Sequence, residues 1–395
     1  MSGGDQSGSE HPRRKLNDEL VEMARCLAEV GPNINEIARR TGQFKETVRY
    51  RYHRFFLKSG ITVQAVPNYA RLGFKRLILV AKLNPACEVN AKSIFNALSD
   101  LCYLHSFTRV LLTGEYVIHV AVPRELAEKC AAVYLVLQNA GLFTELDVLA
   151  FEEMRNPPMK PEFFDFTEGT WRSGWATTGR ERKLPLNAPS SVERYDKVDL
   201  LILKELDIDA GKRFVKMVGS VKVSLNALEF HFRDHVKARQ LFRGYRLVWQ
   251  GTHYDSEQQR AISRKDVYIE LTLLLTKGTQ AEVADLMSLL NRTPFLWSEA
   301  YAYGSAYCAE VFLPNYAYTE FLEYIDKLAN KLGKKLRILL MDQSQSMRFV
   351  IAYSLFDGPT KKWLLDANAV LSTLNGMLPV VEEGPRPLPG LEHHT

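Results

Sequence analysis

The feature that most constrains the fold is a self-repetition. Residues 15–155 and 195–356 run through the same succession of hydrophobic periods, offset by roughly 180 to 190 residues, too long a repeat for a solenoid and long enough to be a duplicated domain pair. At 395 residues the chain is also too long for one ordinary core. Each copy opens with three helical segments and a strand. In the first, Leu20, Met23, Ala24, Leu27 and Ala28 share one helical face over 16–30, and Gly31-Pro32 ends it. A short helix over 34–41, a turn at Gly42, a helix over 45–58 and a strand over 61–66 follow. In the second, Val198, Leu201, Ile202 and Leu206 form the stripe over 195–207. A short helix (214–218), a turn (220–223), a helix capped by Ser224 (224–239) and a strand (245–249) complete it.

Each copy then continues as β-α-β-β-α-β. The strands fall at 74–83, 103–112, 116–122 and 143–151, with helices at 90–98 and 124–139. In the second copy the strands are 267–276, 295–303, 307–313 and 335–341, and the helices 281–290 and 316–332. That order packs two helices on one face of an antiparallel sheet. The expected fold class is therefore α+β, two winged helix-turn-helix domains alternating with two ferredoxin-like βαββαβ domains. The boundaries are a disordered tail (1–14), a first helix-turn-helix (15–66), a first ferredoxin-like domain (67–155), a linker (156–194), a second helix-turn-helix (195–250), a second ferredoxin-like domain (262–356) and a C-terminal helix and tail (357–395). Pro157, Pro158 and Pro161 break the linker, but Phe163, Phe164, Phe166, Trp171 and Trp175 make it apolar enough to pack on a domain. A polar loop is expected over 252–263, an extra strand over 349–356 and a last helix over 363–374.

No apolar run approaches the roughly 20 residues of a membrane span, and the Gly/Ser-rich start carries no secretory signal, so a cytoplasmic protein without membrane contact is expected. Five scattered cysteines, never in a Cys-x-x-Cys pair, speak against disulfide or zinc frameworks. No metal or cofactor site is expected. A net charge of +5 is mild, so its distribution must decide about partners.

That distribution is uneven. Between residues 34 and 58 there are seven Lys or Arg against two Glu. The run Ile34-Asn35-Glu36-Ile37-Ala38-Arg39-Arg40-Thr41-Gly42 buries Ile37 and leaves room at Ala38 for the next helix. Val48, Tyr52 and Phe55 then form the inner stripe of that helix. Its outer face presents Lys45, Thr47, Arg49, Tyr50, Arg51 and Arg54, which with Arg39 and Arg40 suit phosphate and base-edge contact to duplex DNA. The second copy exposes Asn226 and Arg233 on a less basic helix, five Lys or Arg against two acids over 224–246. His231 and His235 stand four apart there, without a Glu or Cys partner near in sequence, which favours a structural or phosphate-facing role over a metal.

These residues resemble the leucine-responsive/asparagine-synthase regulators (Lrp/AsnC type), in a tandem form similar to archaeal variants. Asn68-Tyr69-Ala70-Arg71-Leu72-Gly73-Phe74 resembles that family's hinge, and Thr113-Gly114-Glu115-Tyr116 its Thr-Gly-x-Tyr turn, with Val117 where an acid is usual. Tyr303-Gly304 stands where the second copy's turn belongs. The resemblance implies a transcriptional regulator rather than an enzyme, with double-stranded DNA as partner and a small-molecule effector near Thr113, Gly114, Glu115 and Tyr116. It also implies pairing of the βαββαβ domains, within the chain as a pseudo-dimer or between chains as a homo-oligomer.

A branch with the same layout resembles siroheme decarboxylases. For such an enzyme His105 and Arg109, placed on one face of a strand by parity, and His119 on its neighbour are the candidates. A third reading is a winged-helix scaffold that does not bind DNA.

Overall fold

The computed structural model describes residues 10–178, 192–249, 252–255, 260–263, 268–302 and 305–378. The first nine residues of the tail, residues 179–191 of the linker, the Tyr303-Gly304 turn and the chain after 378 lie outside the described residues.

The first copy opens with α1 (Glu10–Val30), α2 (Ile34–Thr41) and α3 (Lys45–Arg51), which runs on as a π-helical turn, Tyr52–Leu57, before β1 (Thr62–Pro67). Helix α1 thus begins inside the stretch expected to be a disordered tail. Leu20, Leu27, Ile37, Val48 and Phe56 are buried where the three helices meet. Asn33 caps α2 by accepting from the Glu36 N–H, and Gly42 at φ 65° makes the left-handed turn into α3 that a side chain would strain.

The sheet elements are β2 (Phe74–Leu83), α4 (Ala91–Leu101), β3 (Leu104–Val110), β4 (Tyr116–Pro123), α5 (Ala127–Asn139) and β5 (Phe143–Phe151). The expected linker is ordered at its start. It holds β6 (Glu153–Arg155), a small hairpin of β7 (Phe164–Asp165) and β8 (Thr170–Trp171), and α6 (Trp175–Thr178).

The second copy repeats this with α7 (Lys197–Ile208), α8 (Phe214–Val221), and α9 (Leu225–Phe230) extended by the π-helical turn His231–Lys237, then β9 (Phe242–Val248). Where a polar loop was expected, β10 (Thr252–Asp255) pairs with β11 (Arg260–Ser263). The sheet part is β12 (Tyr268–Leu275), α10 (Gln280–Arg292), β13 (Leu296–Ala302), β14 (Ala306–Pro314), α11 (Tyr318–Leu332) and β15 (Leu336–Arg348). In place of the extra strand over 349–356 comes a second small hairpin, β16 (Phe356–Asp357) with β17 (Lys362–Trp363), and then α12 (Ala367–Leu374).

Neither three-helix unit builds a hairpin wing of its own among the described residues. Instead β1 pairs antiparallel with β9, from Thr62 opposite Val248 to Pro67 opposite Phe242. A lone strand must satisfy its backbone groups somewhere, and the copy of itself in the other unit is the partner it finds.

The strand order β5-β2-β4-β3 recurs as β15-β12-β14-β13. The two sets join edge to edge through β3 and β15, and β6 adds to β13, giving one nine-stranded antiparallel sheet. Because β6 follows β5 directly in the chain, that sheet folds back on itself. Ile78, Val80, Val117 and Phe151 from one copy meet Leu274, Ala300, Cys308 and Leu339 from the other in a closed apolar layer. The pairing of the two domains therefore runs within the chain.

The helix-side cores cross over. The sheet and helices of the first copy share a core with Leu200, Leu203 and Leu228 of the second three-helix unit and with Phe356, Trp363 and Val370 of the C-terminal extension. The second copy's sheet shares its core with Leu20, Val48 and Phe56 of the first unit and with Phe164, Trp171 and Trp175. Trp175 lies 5.1 Å from the Phe295 ring and 5.2 Å from that of Tyr324. Burying such a side chain is worth roughly 4–6 kcal/mol, which is why the Pro-broken segment stays docked. All five cysteines are buried and unbridged. No helix of the described residues is long and apolar enough to cross a membrane.

Candidate anion-binding cavity

Along the folded sheet the inward positions are apolar at one end and polar at the other. Strand β2 presents Arg76, Ile78 and Val80 by strand parity; β12 presents Glu270, Thr272 and Leu274; β14 presents Cys308, Glu310 and Phe312. At the polar end, below the β1–β9 ribbon, lies a cavity of about 140 Å³, lined among others by Tyr69, Arg76, His105, Asp207, Arg246, Trp297, Glu310 and Arg348.

Two guanidinium groups define it. Arg76 lies over the Tyr69 ring at 4.1 Å and Arg246 over the Trp297 ring at 4.0 Å. Both are buried, and Nε and Nη1 of each have no hydrogen-bond partner. Burial disfavours their charge: it lowers Arg76 below the usual guanidinium range, and with Arg348 nearby it brings Arg246 down to about 9. Arg348 sits at the mouth, donating to Asp207 at 2.7 Å and to Gln64 at 3.1 Å, while Gln64 also accepts from Arg246 at 3.2 Å. Buried cationic donors are normally paired; unpaired ones on a shared cavity mark a place for an anion.

His105 reaches the cavity through a β-bulge. The β3–β4 register shifts between Leu104 and Ser106, so His105 is the extra residue and turns inward with Ser106 and Thr108. Its Nδ1 is buried without a partner. Burial, reinforced by Arg76, Arg348, His119 and Arg246, holds its pKa well below the usual imidazole value, so it is neutral. The same bulge corrects the parity argument for Arg109. That residue does not share a face with His105; it lies beside Gly114, with Nη2 3.2 Å from where a Cβ at that glycine would stand. His119 is in the site, its Nε2 3.0 Å from Glu310 Oε1. Although burial alone would raise the Glu310 carboxyl, His119, a hydrogen bond from Ser298 and Arg246 bring it down to about 2.

The residues expected to read DNA are on the surface, but most of their charge is matched within the chain. Arg39 and Arg40 both hold Glu36, and Arg40 also holds Glu29. Arg49 pairs with Glu46, Arg51 with Glu19 and Gln43, and Arg233 with Asp234. Lys45, Tyr50, Arg54 and Asn226 are exposed, and Thr47 is half-buried. At the turn expected to take an effector, Gly114 has φ 70°, Thr113 donates to Glu115, Glu115 pairs with Arg337 at 2.7 Å, and Tyr116 donates to Glu88 at 2.9 Å. The structure brings none of these residues to the cavity.

Arg76, Arg348, Asp207 and Glu310 were not singled out from the sequence, and Arg246 entered only in the basic count over 224–246. The signal available was a charged residue on the inward parity of an otherwise apolar strand, as in Phe74-Lys75-Arg76-Leu77 and Ala309-Glu310-Val311-Phe312.

No protein-family model and no curated protein matches the chain. Among the solved structures that do match are two of the siroheme decarboxylase NirDL, one of them in co-complex with an iron-uroporphyrin III analogue. Each covers 90% of this chain and 99% of its own, with a TM-score of 0.51 and 10% sequence identity. The likeness is one of fold. It supports a mixed α+β architecture with a large antiparallel sheet over most of the chain. The neighbours are structures of an enzyme, and at 10% identity the likeness carries the fold alone.

Proposed function

We propose that the chain binds a polycarboxylate tetrapyrrole of the siroheme type and decarboxylates one of its side chains. The observation that carries this reading is the convergence of two buried guanidinium groups, each with Nε and Nη1 unbonded, and a neutral buried imidazole on one cavity. The NirDL fold supports it. A space of about 140 Å³ is the size of a cavity that holds benzene, at roughly 150 Å³. It takes one carboxymethyl arm, with the macrocycle at its mouth.

Loss of CO2 from such an arm breaks the bond between methylene and carboxylate carbons. The electron pair stays on the methylene carbon, delocalised into the macrocycle, and a proton then converts it to methyl. No oxidant is required. Arg76 and Arg246 hold carboxylates in register, and the apolar walls at Met154, Phe312 and Met347 favour neutral CO2 over an anion. His105 is the proton carrier. The cations that keep it neutral are those a bound polyanion offsets, so the substrate itself raises its proton affinity.

The test is titration of the purified chain with an iron tetrapyrrole bearing acetate side chains, following the Soret band and then CO2 loss by mass spectrometry. A saturable Soret shift with loss of CO2 is expected; an unchanged spectrum at high concentrations of both would sink the proposal. Duplex binding through α3 is the second reading, supported by the exposed Lys45, Tyr50 and Arg54.

A further inference from the structure

A cluster of ligating side chains lies outside the cavity, in the second three-helix unit. His231 and His235 stand on the π-helical turn after α9, and Asp199, on α7, is fully buried against both. His231 Nδ1 is 2.9 Å from Asp199 Oδ1, and His235 Nδ1 is 3.2 Å from each Asp199 oxygen. Asp196 Oδ1 is 3.7 Å from His231 Nδ1. One ligand atom from each of the four residues lies within 4.8 Å of the others. The histidine pair has no partner near in sequence; the fold brings its partners from the start of α7.

We propose that Asp196, Asp199, His231 and His235 form a four-ligand site for a divalent transition-metal ion of the zinc type. Bonds of roughly 2.0–2.2 Å at tetrahedral angles put ligand atoms about 3.3–3.5 Å apart; the contacts of 2.9 to 3.7 Å bracket that span, and the whole set, within 4.8 Å, needs only a small contraction around an ion. The carboxylates are already oriented. Asp196 Oδ1 accepts from the Val198 and Asp199 N–H groups, and Asp199 Oδ2 accepts from the Asp196 N–H, the outer hydrogen bonding that fixes metal ligands. The π-helical turn brings the two imidazoles edge to face, with ring centres 4.6 Å apart. His231 and His235 keep 17% and 18% of their side-chain surface exposed, which leaves an ion a way in.

The other copy supplies the second argument. Helices α2 and α8 start at Ile34 and Phe214, so equivalent residues lie 180 apart. Glu19 and Arg51, at the places of Asp199 and His231, form an ion pair, and Phe55 stands at the place of His235. A buried carboxylate needs a cation. In the first copy the carboxylate, Glu19, is only half-buried and has its cation in Arg51. The second has two imidazoles there, and an ion bound between them supplies the charge. Two nitrogen and two oxygen ligands suit zinc or cobalt better than magnesium or calcium. Four protein ligands make the site a staple between α7 and the third helix of its unit.

The full chain, freed of metal with chelator, is titrated with Co2+ alone. One equivalent with the visible absorption of tetrahedral cobalt, displaced by Zn2+ and accompanied by a higher melting temperature, is expected. The double variant His231→Arg with His235→Phe, which restores the first copy's residues, should keep its helical circular dichroism and lose that absorption, while His105→Phe keeps it. Asp196→Asn, which preserves the helix cap, should weaken Co2+ binding by at least about tenfold. Absence of any tetrahedral cobalt spectrum in the parent chain, or an unchanged affinity in Asp196→Asn, overturns the proposal.

Discussion

Arg155 and Arg348 end corresponding stretches of the two copies but pair one register step apart, so they face opposite sides of the sheet. Each follows a methionine, Met154 or Met347, and each reaches across to the other copy's sheet, Arg155 opposite Glu299 and Arg348 opposite Ser106. Arg155 is closed in: it is 5% exposed and 2.9 Å from Glu299, which also accepts from Asn291 and Tyr307. Arg348 is 37% exposed and guards the cavity with Asp207. The register continues the contrast. Glu310 stands in the second copy where His119 stands in the first, and Trp297 is the bulged residue where His105 is in the first. Duplication has produced one site rather than two. The first copy contributes His105 and Arg76 over Tyr69; the second contributes Arg246 over Trp297 and the acids.

The largest effect should fall on His105. Replacement by Phe keeps the volume and the bulge but removes the proton carrier, so turnover should fall by about 10²–10⁴-fold while tetrapyrrole affinity changes little. Trp297→Phe, at the equivalent bulge, should leave turnover within a few fold. Equal losses at the two bulges would erase the functional asymmetry argued above.

Next come the arginines. Arg155→Met leaves Glu299 buried without its cation and should cost about 3–5 kcal/mol of stability in urea unfolding. Arg76→Met and Arg246→Met remove buried charges whose Nε and Nη1 make no hydrogen bond, so the free protein should lose far less stability than Arg155→Met does. Each should instead weaken tetrapyrrole binding by roughly 10–150-fold, the worth of a hydrogen bond to a charged group. Ligand affinity untouched in both variants would show that these guanidinium groups face the cavity without serving it.

Much of the architecture was legible because it follows from periodicity. The βαββαβ order in both copies, the Ser224 cap and the turn at Gly114 all depend on neighbours in sequence. What was not legible depends on contacts between copies or on a single inserted residue. The bulge at His105 breaks the parity that seemed to align it with Arg109. The crossing of each three-helix unit onto the other copy's sheet leaves no local pattern, because the apolar stripe of α7 would suit either sheet. The proline-rich stretch after Arg155 read as a linker since its hairpin strands are two residues long, held by Trp171 and Trp175 rather than by a ladder.

A pH series separates Glu310 of the second copy from His105 of the first. The Glu310 carboxyl, at about 2 in the folded chain, titrates near 4.3 when unfolded. Its stabilisation is therefore present above the unfolded value and is lost as pH falls through the folded one, on the order of 3 kcal/mol in all. His105, held low by burial and the arginines, has its own window: stability is full above about 6.5 and declines as pH drops toward the folded value. Glu310→Gln should flatten the limb below about pH 4.5 and leave the upper one. A wild-type slope below that pH would show that the His119–Glu310 pair contributes nothing there.

The smallest effect is expected on the faces of the third helices, where the two copies differ most in charge and the ligand reading asks nothing of them. Arg49 and Arg51 already hold Glu46 and Glu19, so a phosphate would have to compete with carboxylates for the same guanidinium groups. For a chain that does not read DNA, replacing both by Ala should move the slope of log affinity against log salt on duplex DNA by well under 1 per residue. A protein that spends these residues on phosphates would lose about 1 for each. The measurement distinguishes the two readings of the same helix even if the chain binds tetrapyrrole, since a basic face above and an anion cavity below are not exclusive. A loss approaching 1 per arginine would mean that the first copy retains a reading head that the less basic α9 lacks.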